Sequence, residues 1–173
     1  MNREIIFRGK PISDKYGEDF VFGDLIQITG GRKFIVNNKF GACIDAKGNF
    51  INTEAPFVIE VKPETVGQYT GLTDENGKRI FEGDIIRYAD LYDYNCHLES
   101  IDNPEAYGGI DMGNIWTIDE VVYGINVGYP AFDLNRNDFE ANGLCVLKES
   151  CQYFYEVIGN IYDNPELLEA YND

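Results

Sequence analysis

Short runs of alternating apolar and polar residues, each stopped by Gly, Pro, Asn or Asp, dominate the chain and predict strands rather than helices. Glu4 to Arg8 reads as a first strand, ended by Gly9-Lys10-Pro11, and Asp19 to Ile28 reads as a second. Thr29-Gly30-Gly31-Arg32 has turn chemistry, and Lys33 to Val36 resumes as a strand. Asn37-Asn38 turns the chain again, Asp45-Ala46-Lys47-Gly48-Asn49 supplies a tight reversal, and Phe57 to Val61 is a further strand stopped by Pro63. To this point the pattern is a β-meander.

From Pro63 the texture changes. Pro63-Glu64-Thr65 suits a single helical turn, with Gly71 placed for a turn after it. Asp74-Glu75-Asn76-Gly77-Lys78 carries Asn-Gly, the strongest short hairpin signal. Ile80 to Tyr88 reads as one strand entered through a Gly83-Asp84 corner. Periodicity then disappears from about Ala89 to Asn114, a length of irregular chain that is uncommon inside a compact domain and often functional. Strand texture returns over Ile115–Val127, Tyr129–Phe132, Leu144–Leu147 and Tyr153–Tyr162. Pro165 to Tyr171 closes the chain as a short helix, with Pro in its first turn, Glu166 near its positive end and Leu167 and Leu168 on an apolar side.

One echo recurs. Phe22-Gly23-Asp24-Leu25-Ile26 and Glu82-Gly83-Asp84-Ile85-Ile86 share Gly-Asp followed by two aliphatics. The expectation is a common corner, in which Gly takes a positive φ and Asp ties the bend through local hydrogen bonds.

Composition adds partners and compartment to this picture. A chain of 173 residues, 44% apolar, supports one real core or two small β units, and 14% aromatic content with 18 Gly fits strands joined by tight turns. Fourteen basic residues against thirty acidic ones give a formal charge of −16. That field repels phosphate backbones and anionic lipid, so direct nucleic-acid or membrane binding is not expected. It serves solubility, or attraction to a basic partner. The N-terminal run Ile5-Ile6-Phe7 is broken by charge at once, which predicts neither signal peptide nor membrane span. Cys43, Cys96, Cys145 and Cys151 form no C-x-x-C pair and read as reduced thiols of a cytoplasmic protein.

Reactive chemistry is weakly represented. His97 is the single histidine, and its neighbour Cys96 points to the opposite face of an extended segment, which makes a Cys–His nucleophile pair awkward. Cys96, His97, Cys145 and Cys151 match no zinc spacing. Asp133-Leu134-Asn135-Arg136-Asn137-Asp138 opens like a calcium loop, but Asp138 stands where Gly is required and Leu144 where the closing acid belongs, so it reads as a solvated turn. Gly108-Gly109-Ile110-Asp111-Met112-Gly113 has no following Lys-Ser/Thr for phosphate, and acid pairs such as Asp119-Glu120 are ordinary among thirty carboxylates. No catalytic residue, metal site or cofactor is expected. Tyr88, Tyr92, Tyr94 and Tyr107, on or beside the irregular stretch, are the candidate binding residues, because exposed aromatics can hold an extended peptide.

Four blocks stand out: Phe7-Arg8-Gly9-Lys10, then Phe22-Gly23-Asp24-Leu25-Ile26, then Thr65 to Leu72 continuing through Asp74, Asn76-Gly77-Lys78, Ile80 and Glu82-Gly83-Asp84-Ile85, and last Glu156 to Tyr162 with Asn164 to Leu168. Together and in this order they resemble the YopX family of phage proteins. Phe20 stands where the family often has Trp, and Ala89 to Asn114 matches nothing in it. The resemblance implies a phage or prophage context in a bacterial host cell and an SH3-like small barrel in the C-terminal part. It carries no catalytic residues.

The reading is therefore a mainly β chain: an N-terminal β-meander over residues 1–62 packed with an SH3-like barrel domain over 63–173, the latter with an irregular insertion at about 89–114 and a short C-terminal helix. Its expected role is that of a non-enzymatic module that binds another, unknown protein and forms a homo-oligomer, since short β units with open edges readily associate. Two alternatives are an acidic DNA mimic that occupies a host DNA-binding protein, and an unrecognised hydrolase with convergent carboxylates or Cys96 in a pocket.

Overall fold

The computed structural model describes residues 4–36, 43–44, 50–51, 58–90, 116–124, 131–135, 142–149 and 153–169. They form twelve strands, two short α-helices and two 3-10 turns, the mainly β architecture that the alternating pattern predicts. The chain divides into two compact units, Met1–Gly71 and Leu72–Asp173.

In the first unit, β1 (Phe7–Gly9), β2 (Val21–Gln27), β3 (Lys33–Val36), β6 (Val58–Val61) and the start of β7 (Gly67–Thr73) lie in the order β6-β3-β2-β1-β7. These strands pair antiparallel, with Phe7 opposite Gly23, Ile26 opposite Phe34 and Val36 opposite Val58. Two further short strands, β4 (Cys43–Ile44) and β5 (Phe50–Ile51), pair with each other on either side of residues 45–49. The expected reversal at Thr29–Arg32 forms because Gly30 and Gly31 both take positive φ, 94° and 81°. Past Gly9 the chain runs on to β6. Pro11 bridges Val61, the Ile12 N–H donates to the Glu60 carbonyl at 3.0 Å, and the Lys62 N–H donates to the Lys10 carbonyl at 2.8 Å. A Cβ on Gly9 would meet Val61 Cγ2 at 2.9 Å, so only glycine allows that approach. Ile35, Ile59 and Val61 form the core, with Phe7, Tyr16, Val21, Leu25 and Val66 packed around them.

The helical turn expected at Pro63 is present as a 3-10 turn, Pro63–Thr65, fastened where the Thr65 hydroxyl accepts the Lys10 N–H at 2.9 Å. A second 3-10 turn spans Asp14–Tyr16. The turn expected at Gly71 does not form. Gly71 has φ 93° but lies inside β7, whose first residues are held straight by pairing with β1, Gln68 opposite Phe7.

In the second unit, β9 (Asp84–Asp90), β10 (Thr117–Tyr123), β11 (Phe132–Leu134) and β12 (Tyr153–Asn160) form a sheet in the order β11-β10-β9-β12. Its core gathers Ile80, Ile86, Tyr88, Val121, Phe132, Leu134, Leu144, Leu147, Tyr155 and Val157. The single strand expected over Ile80–Tyr88 is two, β8 (Arg79–Phe81) and β9, broken at Glu82-Gly83. Gly83 takes φ 78°, its N–H donates to the Val121 carbonyl at 2.8 Å, and the Asp84 carboxylate accepts the Phe81 N–H at 2.8 Å. The Gly-Asp corner is thus real here. At its echo it is absent: Gly23 sits in the middle of β2 opposite Phe7, and Asp24 is exposed.

The strand expected over Leu144–Leu147 is instead a helix, α1 (Gly143–Glu149). Asn142 caps it, its Oδ1 accepting the Cys145 N–H at 2.8 Å, and Leu144 and Leu147 bury at helical spacing while Cys145 and Lys148 stay exposed. An apolar run of four residues does not distinguish the two periods. Of the strand expected over Tyr129–Phe132, Phe132 opens β11, and residues 125–130 lie outside the described ones. The terminal helix, α2, spans Glu166–Glu169 behind Pro165, and residues 170–173 lie outside the described ones.

Candidate functional site

Of the four tyrosines that the sequence nominates, Tyr88 is 6% exposed and belongs to the core of the second unit. Tyr92, Tyr94 and Tyr107 lie outside the described residues, as do Cys96, His97 and Cys151. Cys145 is exposed on α1. Partial burial, then Glu149 and Asp133, push its thiol above the ordinary value, so it stays protonated at neutral pH. Among the described residues no three of His, Cys, Asp and Glu gather to hold a metal ion, and no helix is long and apolar enough to cross a membrane. The two halves of the calcium-like run differ: residues 136–138 are outside the described ones, while Asp133 is buried rather than solvated. Its Oδ1 accepts the Leu134 N–H at 2.8 Å and the Leu144 N–H at 3.2 Å, which anchors α1 to β11.

Among the described residues Asp133 is one of four buried carboxylates in the second unit, with Asp74, Asp84 and Asp119. Asp74 shows what they do. Its Oδ1 accepts the N–H groups of Asn76 at 2.9 Å and Lys78 at 2.7 Å, closing the Asn-Gly turn, and its Oδ2 accepts the Val157 N–H of β12 at 3.1 Å. A carboxylate can meet several backbone donors at once, and each would be costly to bury alone. These four acids serve the fold as internal acceptors. For Asp74 and Asp84 the sequence signal was the nearby Asn-Gly or Gly of a turn, which composition counts only as charge; Asp119 and Asp133 stand inside strands and carry no such signal.

The same bonds occupy sheet edges. Along β12 the Tyr155 carbonyl accepts the Glu75 N–H at 3.3 Å, and the Val157 carbonyl accepts Lys78 Nζ at 3.3 Å. Along β11 the Phe132 carbonyl accepts Asn142 Nδ2 at 3.0 Å. In the first unit the segment Lys10–Ile12 lies along β6. Strand addition at an open edge, the route expected for association, therefore has no free template along these stretches.

What remains open is a face. Opposed residues share a side of a sheet, and so do alternate residues of a strand, so Phe22, Ile26, Phe34, Val36 and Val58 lie on the side of the first sheet away from its core, with Asp24 and Glu60 among them. Phe22, Ile26 and Val58 are 38%, 43% and 45% exposed, and Ile28, at the following turn, is 42% exposed. On this face Arg32 and Glu60 form a two-pronged ion pair, Nε–Oε1 at 2.6 Å and Nη2–Oε2 at 2.7 Å, with the guanidinium 5.0 Å from the Phe34 ring. The hydrogen bonds and charge of Arg32 hold the Glu60 carboxyl below its ordinary value, and Glu60 raises Arg32 in return.

The second unit has a different outer face. There Arg87 is ion-paired with Glu156 and stacks 4.7 Å from the Trp116 ring, which meets Phe154 edge-on at 5.7 Å. Each group is already matched by a neighbour, so this cluster reads as a closed brace across β9, β10 and β12. Charge separates the units further. Residues 1–71 hold nine basic and nine acidic side chains, whereas residues 72–173 hold five basic and twenty-one acidic, so the whole of the −16 resides in the second unit.

Comparison with known proteins gives the chain a family. The family model for YopX protein matches residues 42–169. The crystal structure of protein EF1440 from Enterococcus faecalis aligns over 96% of this chain and 99% of that one, at 18% identity and a TM-score of 0.46. No functionally curated protein matches the sequence. The match at 42–169 spans 128 of 173 residues and takes in the hairpin at Asp74–Lys78, the Gly83-Asp84 corner and the end of the last strand, and the chain belongs to the YopX family.

Proposed function

We propose that the chain is a non-enzymatic protein-binding module, working in a phage or prophage setting, that joins a second copy of itself through the outer face of the first sheet. The reading is carried by one observation: four well-exposed apolar side chains, Phe22, Ile26, Ile28 and Val58, sit together in the half of the molecule whose formal charge is zero. Exposed apolar surface on one face is what a docking site removes from water. A basic partner would be drawn to the acidic half. A face whose apolar residues lie among a few charges, Glu60 being paired with Arg32, in a unit of zero net charge suits an uncharged counterpart, and its own copy is one. Because stretches of the edges of β6, β11 and β12 are occupied by the chain itself, a contact face to face is favoured over strand addition there.

Salt decides between partners. Two copies at −16 repel, and salt screens that repulsion while leaving apolar contact intact, so self-association strengthens as salt rises. Sedimentation velocity of the full chain at low and high salt is the measurement. The expected result is a concentration-dependent oligomer, favoured by salt and lost in Ile26→Lys and Val58→Lys. A chain that stays monomeric at every concentration and salt overturns the reading. Oligomers that dissolve as salt rises, or that persist in both variants, place the contact elsewhere.

A further inference from the structure

Two Asn-Gly pairs occur in the described chain, Asn76-Gly77 and Asn142-Gly143, and the structure treats them oppositely. Asn142 is locked. Its Oδ1 accepts the Cys145 N–H at 2.8 Å and its Nδ2 donates to the Phe132 carbonyl at 3.0 Å, so both ends of the side-chain amide are held and Gly143 is buried in the first turn of α1. Asn76 stands exposed at the tip of the hairpin between β7 and β8. Its Nδ2 makes one long bond to Glu156 Oε2 at 3.4 Å, and Gly77 beside it is exposed with φ 79°.

We propose that Asn76 is a site of spontaneous deamidation, gated by Asp74. The backbone nitrogen of Gly77, after giving up its proton to solvent, attacks Cγ of Asn76. The C–N bond to the side-chain amide breaks and ammonia leaves, giving a five-membered succinimide. Water then opens either carbonyl, yielding aspartate or isoaspartate, so –NH2 is exchanged for –OH with no change of oxidation state. Glycine makes the attack feasible because it has no Cβ to obstruct the ring. The gate lies in the turn. The Gly77 N–H donates to the Asp74 carbonyl at 3.0 Å, and the Asp74 carboxylate holds the N–H groups on both sides of it, at Asn76 and Lys78. Attack therefore requires the turn to open.

The product has a consequence in place. A carboxylate at position 76 faces Glu156, which now accepts from the Asn76 amide, and two like charges replace a hydrogen bond. Isoaspartate also adds a methylene to the backbone within the turn, and the Asp74 bonds to both flanking N–H groups cannot then be kept together. The modified hairpin loosens from β12.

The test incubates the full chain at mildly alkaline pH, folded and in urea, and follows each Asn-Gly pair by peptide mass spectrometry with isoaspartate detection. In the folded chain Asn76 converts about tenfold or more faster than Asn142, because Asn142 must break two side-chain hydrogen bonds before it reacts. In urea the two rates converge to within a few-fold. Asp74→Asn, which weakens the gate, speeds conversion at Asn76 in the folded chain while Asn142 remains protected. Protection at Asn142 also certifies that this variant has folded, and Lys78→Ala, which leaves the Asp74 bonds in place, serves as the matched control. Equal ratios in the folded and urea samples overturn the proposal. So does an Asn76 that stays intact in the folded chain while the urea sample converts fully.

Discussion

The two units complete their sheets by different means. In the first, the chain itself closes the structure: residues 10–12 return along β6, Gly9 removes the Cβ that would block them, and a small aliphatic core lies beneath. In the second, carboxylates take the part of missing backbone, with Asp74, Asp84, Asp119 and Asp133 each accepting main-chain N–H groups. The first unit balances its charges and exposes apolar side chains. The second carries all of the net charge and turns part of it inward. The difference shows that acidity in this chain has two uses, and that a count of acids mixes them.

The largest effect expected from breaking this contrast is at Asp74. Asp74→Ala leaves the buried Val157 N–H without its acceptor, at about 1–3 kcal/mol, and removes two part-buried turn bonds, to the Asn76 and Lys78 N–H groups, at about 0.5–1.5 kcal/mol each, so the loss is about 2 kcal/mol or more. Trp116 is the sole tryptophan and lies in the second unit, so its fluorescence in a urea titration reads that unit directly. Hydrogen exchange should show lost protection over β9 and β12 with β2 and β3 unchanged. Equal losses in both units would mean that the carboxylates do not belong to one of them alone.

Gly9→Ala is the counterpart in the first unit. The added methyl meets the Val61 side chain at 2.9 to 3.2 Å, and overpacking of this kind costs about 1–3 kcal/mol. Exchange should then rise across β2, β3 and β6 while the Trp116 transition holds its midpoint. A shift at Trp116 of the same size as in Asp74→Ala would make the two units one cooperative body and dissolve the comparison.

Much of the fold is legible in the sequence, and the parts that are not have identifiable causes. Lys33–Val36 and the Asn76-Gly77 turn were readable because alternation and turn chemistry agree there. The corner at Gly83-Asp84 was readable as a corner, but its echo at Gly23-Asp24 was not distinguishable from it, since pairing of Gly23 with Phe7 is a long-range fact. The helix at Gly143–Glu149 was missed for want of length, although Asn142 before it was an available cap signal. Strand β7 was missed because Gly71 looks like punctuation, and only pairing to β1 keeps that segment extended. The exposed face of β2 was hidden in its own alternation. Phe22 and Ile26 on one side and Val21 and Leu25 on the other are equally apolar, so nothing in the pattern says which side meets water.

The smallest effect tests the second unit where its acids crowd rather than bond. Glu120 is partly buried, and burial first, then Asp119 and Glu82, raise its carboxyl above the ordinary glutamate value. A carboxyl whose folded value exceeds its unfolded one favours protonation in the fold, so the ionised form burdens the folded state at neutral pH and the burden lifts as pH falls through the raised value. Glu120→Gln removes the charge and keeps the shape. It should stabilise the second unit at neutral pH by a few tenths of a kcal/mol, roughly the scale of partly exposed charges screened by solvent. The gain is full above the raised folded value and absent below the unfolded one, where both states of the natural chain are already protonated. Urea midpoints of the two chains, followed by Trp116 and compared across that window, should therefore converge as pH falls. A gain that persists at low pH would assign the effect to packing, and a loss at neutral pH would show that ionised Glu120 helps to hold the sheet together.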